Sequence, residues 1–275
     1  MLLAYFAAFV LTLCAGAVLV FAVAIARAPS QPARIAEEAT RFALSAWGLI
    51  GVAFVDAGVL LAVALGTARI ARRGAGTIIA QLRLGPSQAS ALGFVATLVG
   101  MIGLSFACGA ASELLGARSG GVMDLLARQL RSPPPLRFVA AIVAIGVAPG
   151  VAEETFFRGL MQTRLAAAWG PRPAIVAASA AFALIHLDLV QGSVAFVAGV
   201  FLGWTADRFG SVRPTIFAHA LNNALFVVLA SFASDGVATR RTDLATLAAG
   251  ATVWIGATLV LRSGSSRRDR VQDGR

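Results

Sequence analysis

Apolar residues run in long, nearly unbroken stretches along this chain, and short segments between them hold most of the polar side chains. Eight such stretches cover residues 2–26, 42–68, 88–111, 136 to beyond Glu153, 173–187, 193–209, 214–232 and 244–261. A run of about 20 apolar residues is what an α-helix needs to cross the hydrocarbon of a bilayer. Without water at that depth, every backbone N–H and C=O must be satisfied inside the segment, which helical winding achieves. The pattern predicts an all-α fold, a polytopic transmembrane helical bundle of about eight spans. The stretch VMDLLARQLRSPPP follows a different rule, with Met123, Leu125, Leu126 and Leu130 on one helical face and Asp124, Arg128 and Arg131 elsewhere. It predicts a short helix lying at the membrane interface and stopped by Pro133, Pro134 and Pro135. Residues 263–275 are polar and arginine-rich and are expected to be disordered.

Composition sharpens the picture. The 275 residues are 58% hydrophobic and 13% charged, with a mean hydropathy of +0.81, against roughly 25% charged for a soluble domain. The net charge of +10 comes from arginine alone, since the chain has no lysine. A nucleic-acid partner would call for a basic patch interleaved with aromatics in a soluble fold. Here the arginines lie between apolar runs, as topology determinants do, so the partner they imply is the lipid bilayer. With the N-terminus inside, fourteen of the 23 arginines fall in cytoplasmic segments, which puts both termini in the cytoplasm. An alanine-rich, lysine-free chain also suggests a GC-rich bacterial genome and a bacterial cytoplasmic membrane. Ala24-Ile25-Ala26 resembles a signal cleavage site, but no basic residue precedes the first run and the run is too long for a signal sequence, so it reads as a retained span. Cys14 and Cys108 lie singly in apolar runs and carry no metal or redox signature.

Against that background the stretch VAEETFFRG, residues 151–159, is an anomaly that needs a reason, because each charge at the bilayer centre costs about 2.5–3.5 kcal/mol. Glu154 and Arg158 are four apart, with the glutamate first, the favourable order for an ion pair on one helical face. Glu153 is rotated away from that partner and stays free. The two histidines of the chain, His186 in AFALIHLD and His219 in IFAHALNNAL, fall in later spans of the same half. His219 and Asn223 are four apart and share a face, whereas Asn222 is expected to point elsewhere. The turn WGPRP breaks a helical hairpin whose arms reach Glu153 and His186 at equal depth. His219 lies only a few residues past the turn near Gly210, too shallow by the same reckoning. No internal repeat marks a transporter, and the chain has no HExxH, GxSG or GxGD motif.

The ordered trio EETFFR, FALIH and HALNN resembles the CPBP family of intramembrane endopeptidases, which includes the CaaX protease and bacterial Abi-type, bacteriocin-related proteins. The resemblance divides the chain into N-terminal spans with the interfacial segment at 1–135, a CPBP-like catalytic core at 136–232, a C-terminal span at 233–262 and the polar tail at 263–275. It implies that Glu153 is the base that activates water, that Glu154 and Arg158 support it, and that His186, His219 and Asn223 orient water or stabilise the oxyanion. Phe182 is placed to pack on His186, and Pro149 to interrupt the helix before Glu153. No cofactor is required on this reading. Zinc held by Glu153, His186 and His219 is the rival chemistry. A membrane-associated peptide or protein is the expected substrate. A non-catalytic transporter or a peptide-binding immunity protein is the alternative from a different class.

Overall fold

The structure, a computed structural model, describes residues 1–71, 76–117, 122–233 and 239–272. They form α1 (Leu2–Arg27), α2 (Pro32–Ala43), α3 (Ala46–Ile70), α4 (Ile78–Gln81), α5 (Ala91–Leu114), α6 (Val122–Gln129), α7 (Pro135–Trp169), α8 (Pro171–Leu184), α9 (Leu189–Phe209), α10 (Arg213–Phe232) and α11 (Arg240–Gln272), with no strand among the described residues. Seven of these, α1, α3, α5, α7, α9, α10 and α11, are long and apolar enough to cross a membrane.

The predicted span at 173–187 is the short helix α8, of 14 residues. At 1.5 Å per residue it is about 21 Å long, less than the ~30 Å of a hydrocarbon core. Its end has a local cause. Leu187 sits at φ 52°, outside helical geometry, and the Asp188 side chain accepts from the Gln191 N–H to start α9. Phe42, predicted as the start of a span, instead belongs to the amphipathic helix α2, and Ser45 caps α3 by accepting from Gly48 N–H. The amphipathic segment after α5 does form α6, and Leu126 and Leu130 are buried in a cluster with Ile50 and Val227. The tail expected to be disordered continues α11 as far as Gln272. Extending a helix already nucleated by a packed span adds one hydrogen bond per residue at little cost.

Two seams bring backbones into near contact. Where α5 meets α11, a Cβ on Gly103 would lie 2.8 Å from the Gly250 carbonyl oxygen. Where α7 meets α10, a Cβ on Gly150 would lie 2.7 Å from the Ala220 nitrogen, and one on Gly146 3.1 Å from Ala224 Cα. Small residues spaced by four permit this approach, which supplies dispersion contacts that lipid would not. The helix α7 is wound more widely, as π-helix, over Ile142–Val147 and Glu154–Gln162. Pro149 therefore does not break it. The first wide turn carries the hydrogen bonding up to the proline, with Ala148 N–H donating to the Val143 carbonyl five residues back.

One end of the bundle is closed by the segment from residue 82 to 88. Val212 N–H donates to the Arg83 carbonyl at 3.0 Å, Gln88 N–H to the Phe209 carbonyl at 3.1 Å, and the Ser211 hydroxyl to the Gly85 carbonyl at 2.8 Å. Arg164 Nη2 donates to Gln81 Oε1, and Arg213 Nε to the Leu84 carbonyl. Leu82, Ser211 and Val212 are fully buried. The first helix is tied to α8 and α7: Tyr5 donates its hydroxyl proton to the Ala181 carbonyl and meets Phe157 edge-on.

Candidate active site

Glu154 and Arg158 lie on the second wide segment of α7 and are both 0% exposed. Arg158 Nη1 donates to Glu154 Oε1 at 2.8 Å, the pairing that the four-residue spacing predicts. Removed from water, neither charge is tolerable alone, so the pair exists as a unit. The Arg158 guanidinium also lies over the Phe182 ring, 4.6 Å from its centroid.

The same Glu154 oxygen accepts from His219 Nδ1 at 3.0 Å. An imidazole that donates through Nδ1 presents Nε2 on its far side. That nitrogen stands 3.6 Å from Glu153 Oε2. Arg158, Glu154, His219 and Glu153 thus form a chain from the protein interior to a cavity wall. Glu153 keeps its side chain partly exposed at the cavity and meets His219, whereas Arg158 is taken by Glu154.

The depth problem posed by His219 resolves through two features the sequence does not advertise. The turn before α10 is buried under residues 82–88, so the helix begins inside the bundle. The π-helical winding from Glu154 to Gln162 packs its residues into less axial length than an α-helix, drawing Glu154 toward that turn. The Gly146 and Gly150 seam then holds α10 against α7 at the level of His219 and Asn223.

His186 lies just past the end of α8, and its Nδ1–H donates to the Phe182 carbonyl at 2.9 Å. Its ring meets Phe182 edge-on at 5.0 Å, while Phe182 meets His219 at 5.8 Å and Phe157 at 5.2 Å. Phe182 therefore contacts both imidazoles. Both rings spend Nδ1 on the protein, which leaves Nε2 for whatever enters.

Glu153, His186, His219 and Asn223 all line one cavity of about 1050 Å³. Asn222 was expected to point away but also lines it, with its Nδ2 3.5 Å from Asn223 Oδ1. The cavity is broad enough there for two successive positions of one helix to reach its wall. Two further residues escaped the sequence reading. Asp56 on α3 lines the cavity, and its signal, a lone acid in an apolar run, was there to find. Gln162 is buried beneath the site and donates through Nε2 to the Gly203 carbonyl at 2.9 Å.

Among the described residues no three His, Cys, Asp or Glu side chains are grouped so as to hold a metal ion. Glu153, His186 and His219 are not grouped on one centre as the zinc alternative needs. Their donor types suit zinc, but their placement does not form a site for it.

Residues 135–225 match the family model of Type II CAAX prenyl endopeptidase Rce1-like proteins. The matched stretch holds Glu153, Glu154, Arg158, His186, His219 and Asn223, in agreement with the resemblance carried by the three motifs. No curated protein and no solved structure matches the chain.

Proposed function

We propose, with the Rce1-like match as premise, that this membrane-spanning protein is an intramembrane endopeptidase that cuts membrane-associated peptides or proteins, with Glu153 activating the attacking water. The observation that carries the reading is the fixed His219 ring, held by Glu154 and Arg158 so that Nε2 stands beside Glu153 at the cavity wall. Glu153 takes a proton from water as its oxygen attacks the scissile carbonyl carbon. The tetrahedral intermediate collapses when the C–N bond breaks, and Glu153 returns the proton to the leaving nitrogen.

The hydrogen bonds divide the remaining roles. Asn223 lines the cavity and its carboxamide oxygen accepts from Asn222, so its N–H groups are the donors it has to offer a developing oxyanion. A neutral His186 or His219 ring offers a lone pair at Nε2 and so orients water as an acceptor; as imidazolium it donates to the oxyanion instead. The arginines Arg83, Arg164 and Arg213 gather at the end closed by residues 82–88, which supports a cytoplasmic assignment for that end under the positive-inside rule. Arg164 near the end of α7 and Phe209 at the end of α9 both reach that end, so α8 and α9 together leave it and return to it, and the site then opens within a bacterial cytoplasmic membrane with both termini inside.

The test is cleavage of an apolar peptide by purified protein in liposomes, comparing wild type with Glu153→Ala and His219→Ala. Loss of product in both variants is expected. Full turnover in either variant sinks the proposal, and uncut peptide accumulating inside the vesicles would point to transport.

A further inference from the structure

Much of the cavity wall is built by α1, α3, α5 and α11, outside the stretch that matches the Rce1-like family. Four lining side chains are acids: Asp56, Glu113, Glu153 and Asp243. Among the described residues that line the cavity there is no arginine, in a chain whose arginines outnumber its acids 23 to 13. The rest of the wall is mainly apolar, and such walls focus the field of the acids into the cavity. An occupant that fits has an apolar body and a positive charge.

Asp56 is where that charge is best received. Its Oδ1 is buried and has no hydrogen-bond partner in the protein. The neighbouring helix α1 passes that oxygen at Gly16, where an added Cβ would stand 3.7 Å away, so α1 offers no side chain to pair with it, while the Asp56 side chain as a whole lines the cavity. Asp56 also lies within electrostatic reach of Glu153, and two like charges in one apolar cavity favour a cation between them. An acid at membrane depth without a partner is costly, and such residues mark substrate pathways.

We infer that Asp56 is a specificity residue that receives a basic side chain of the substrate, so that the enzyme prefers apolar peptides carrying a lysine or arginine near the cut. The cut itself rests on the proposed proteolytic function, whereas recognition of the cation stands on the cavity alone. Two measurements separate them. In the first, wild-type protein in liposomes is given apolar peptides with one lysine moved stepwise along the chain, each matched by a norleucine twin. At the best position the lysine peptide should exceed its twin in kcat/KM by about tenfold or more, the range of a hydrogen bond to a charged group. Asp56→Asn keeps the shape and should bring that ratio close to one, while Asp56→Glu keeps the charge and should preserve it.

The second measurement uses the Glu153→Gln variant and fluorescent versions of the same peptides, read by anisotropy. The lysine peptide should bind about tenfold tighter than its twin, and adding Asp56→Asn should erase the difference. If wild type cuts nothing yet this binding difference holds, proteolysis fails and cation recognition stands. Equal cleavage and equal binding of the twins overturn the inference, as does an Asp56→Asn variant that weakens both twins alike.

Discussion

The seam between α5 and α11 and the seam between α7 and α10 use the same packing device and come to different ends. In each, glycines let two backbones touch, Gly103 on Gly250 in one and Gly150 on Ala220 in the other. The first is flanked by Val99, Ile102, Phe106 and Val253 and packs two apolar helices together. The second carries Glu153 and Glu154 on one helix and His219 and Asn223 on the other, so the same close approach brings His219 to both glutamates. Close packing is thus a general adhesive of this bundle. It becomes a site only where it clamps polar residues that could not be tolerated apart.

The largest break in the comparison is chemical. Glu153→Gln should lower kcat by about 10²–10⁴-fold, the usual weight of a positioned base, with an unchanged helical circular-dichroism spectrum and melting midpoint. Next comes the buried pair. Arg158→Met leaves Glu154 uncompensated and should destabilise the fold by about 3–5 kcal/mol, seen as a lowered denaturation midpoint in detergent, with activity falling alongside because His219 loses its anchor. The two seams can then be set against each other directly. Gly150→Val and Gly250→Val each force backbones apart and should each cost about 1–3 kcal/mol. Only Gly150→Val should also cut kcat by roughly 10²-fold, because it shifts His219 relative to Glu153. The smallest effect belongs to the ring that both imidazoles touch: Phe182→Leu should cost about 1 kcal/mol of aromatic and cation–π contact and broaden the imidazole NMR resonances of His186 and His219.

What the sequence made legible follows from which interactions are local. The four-residue spacings Glu154 to Arg158 and His219 to Asn223 and the break at Gly170 are all read within one or two helical turns, and each is present. The apolar runs likewise fall on the long helices. The misses lie where a distant part of the chain decides. That α8 is short depends on how Leu187 and Asp188 turn toward α9, and the depth of His219 depends on a loop more than a hundred residues upstream. The wide winding of α7 has no compositional mark beyond Pro149. The seam itself was visible as paired small residues, Gly146 with Gly150 and Ala220 with Ala224, but small residues are so common here that nothing distinguished those four before their partners were known.

The segment from Leu82 to Gln88, so slight in itself, decides how this protein can be taken apart. Its carbonyls anchor Ser211, Val212 and Arg213, and its Leu82 carbonyl abuts Gly159 so tightly that no larger residue would fit. The stretch shared with the Rce1-like family is therefore not a transplantable cassette. A chimera that grafts residues 135–225 onto a foreign scaffold would leave the floor under His219 unsupported unless the donor's own loop travels with it.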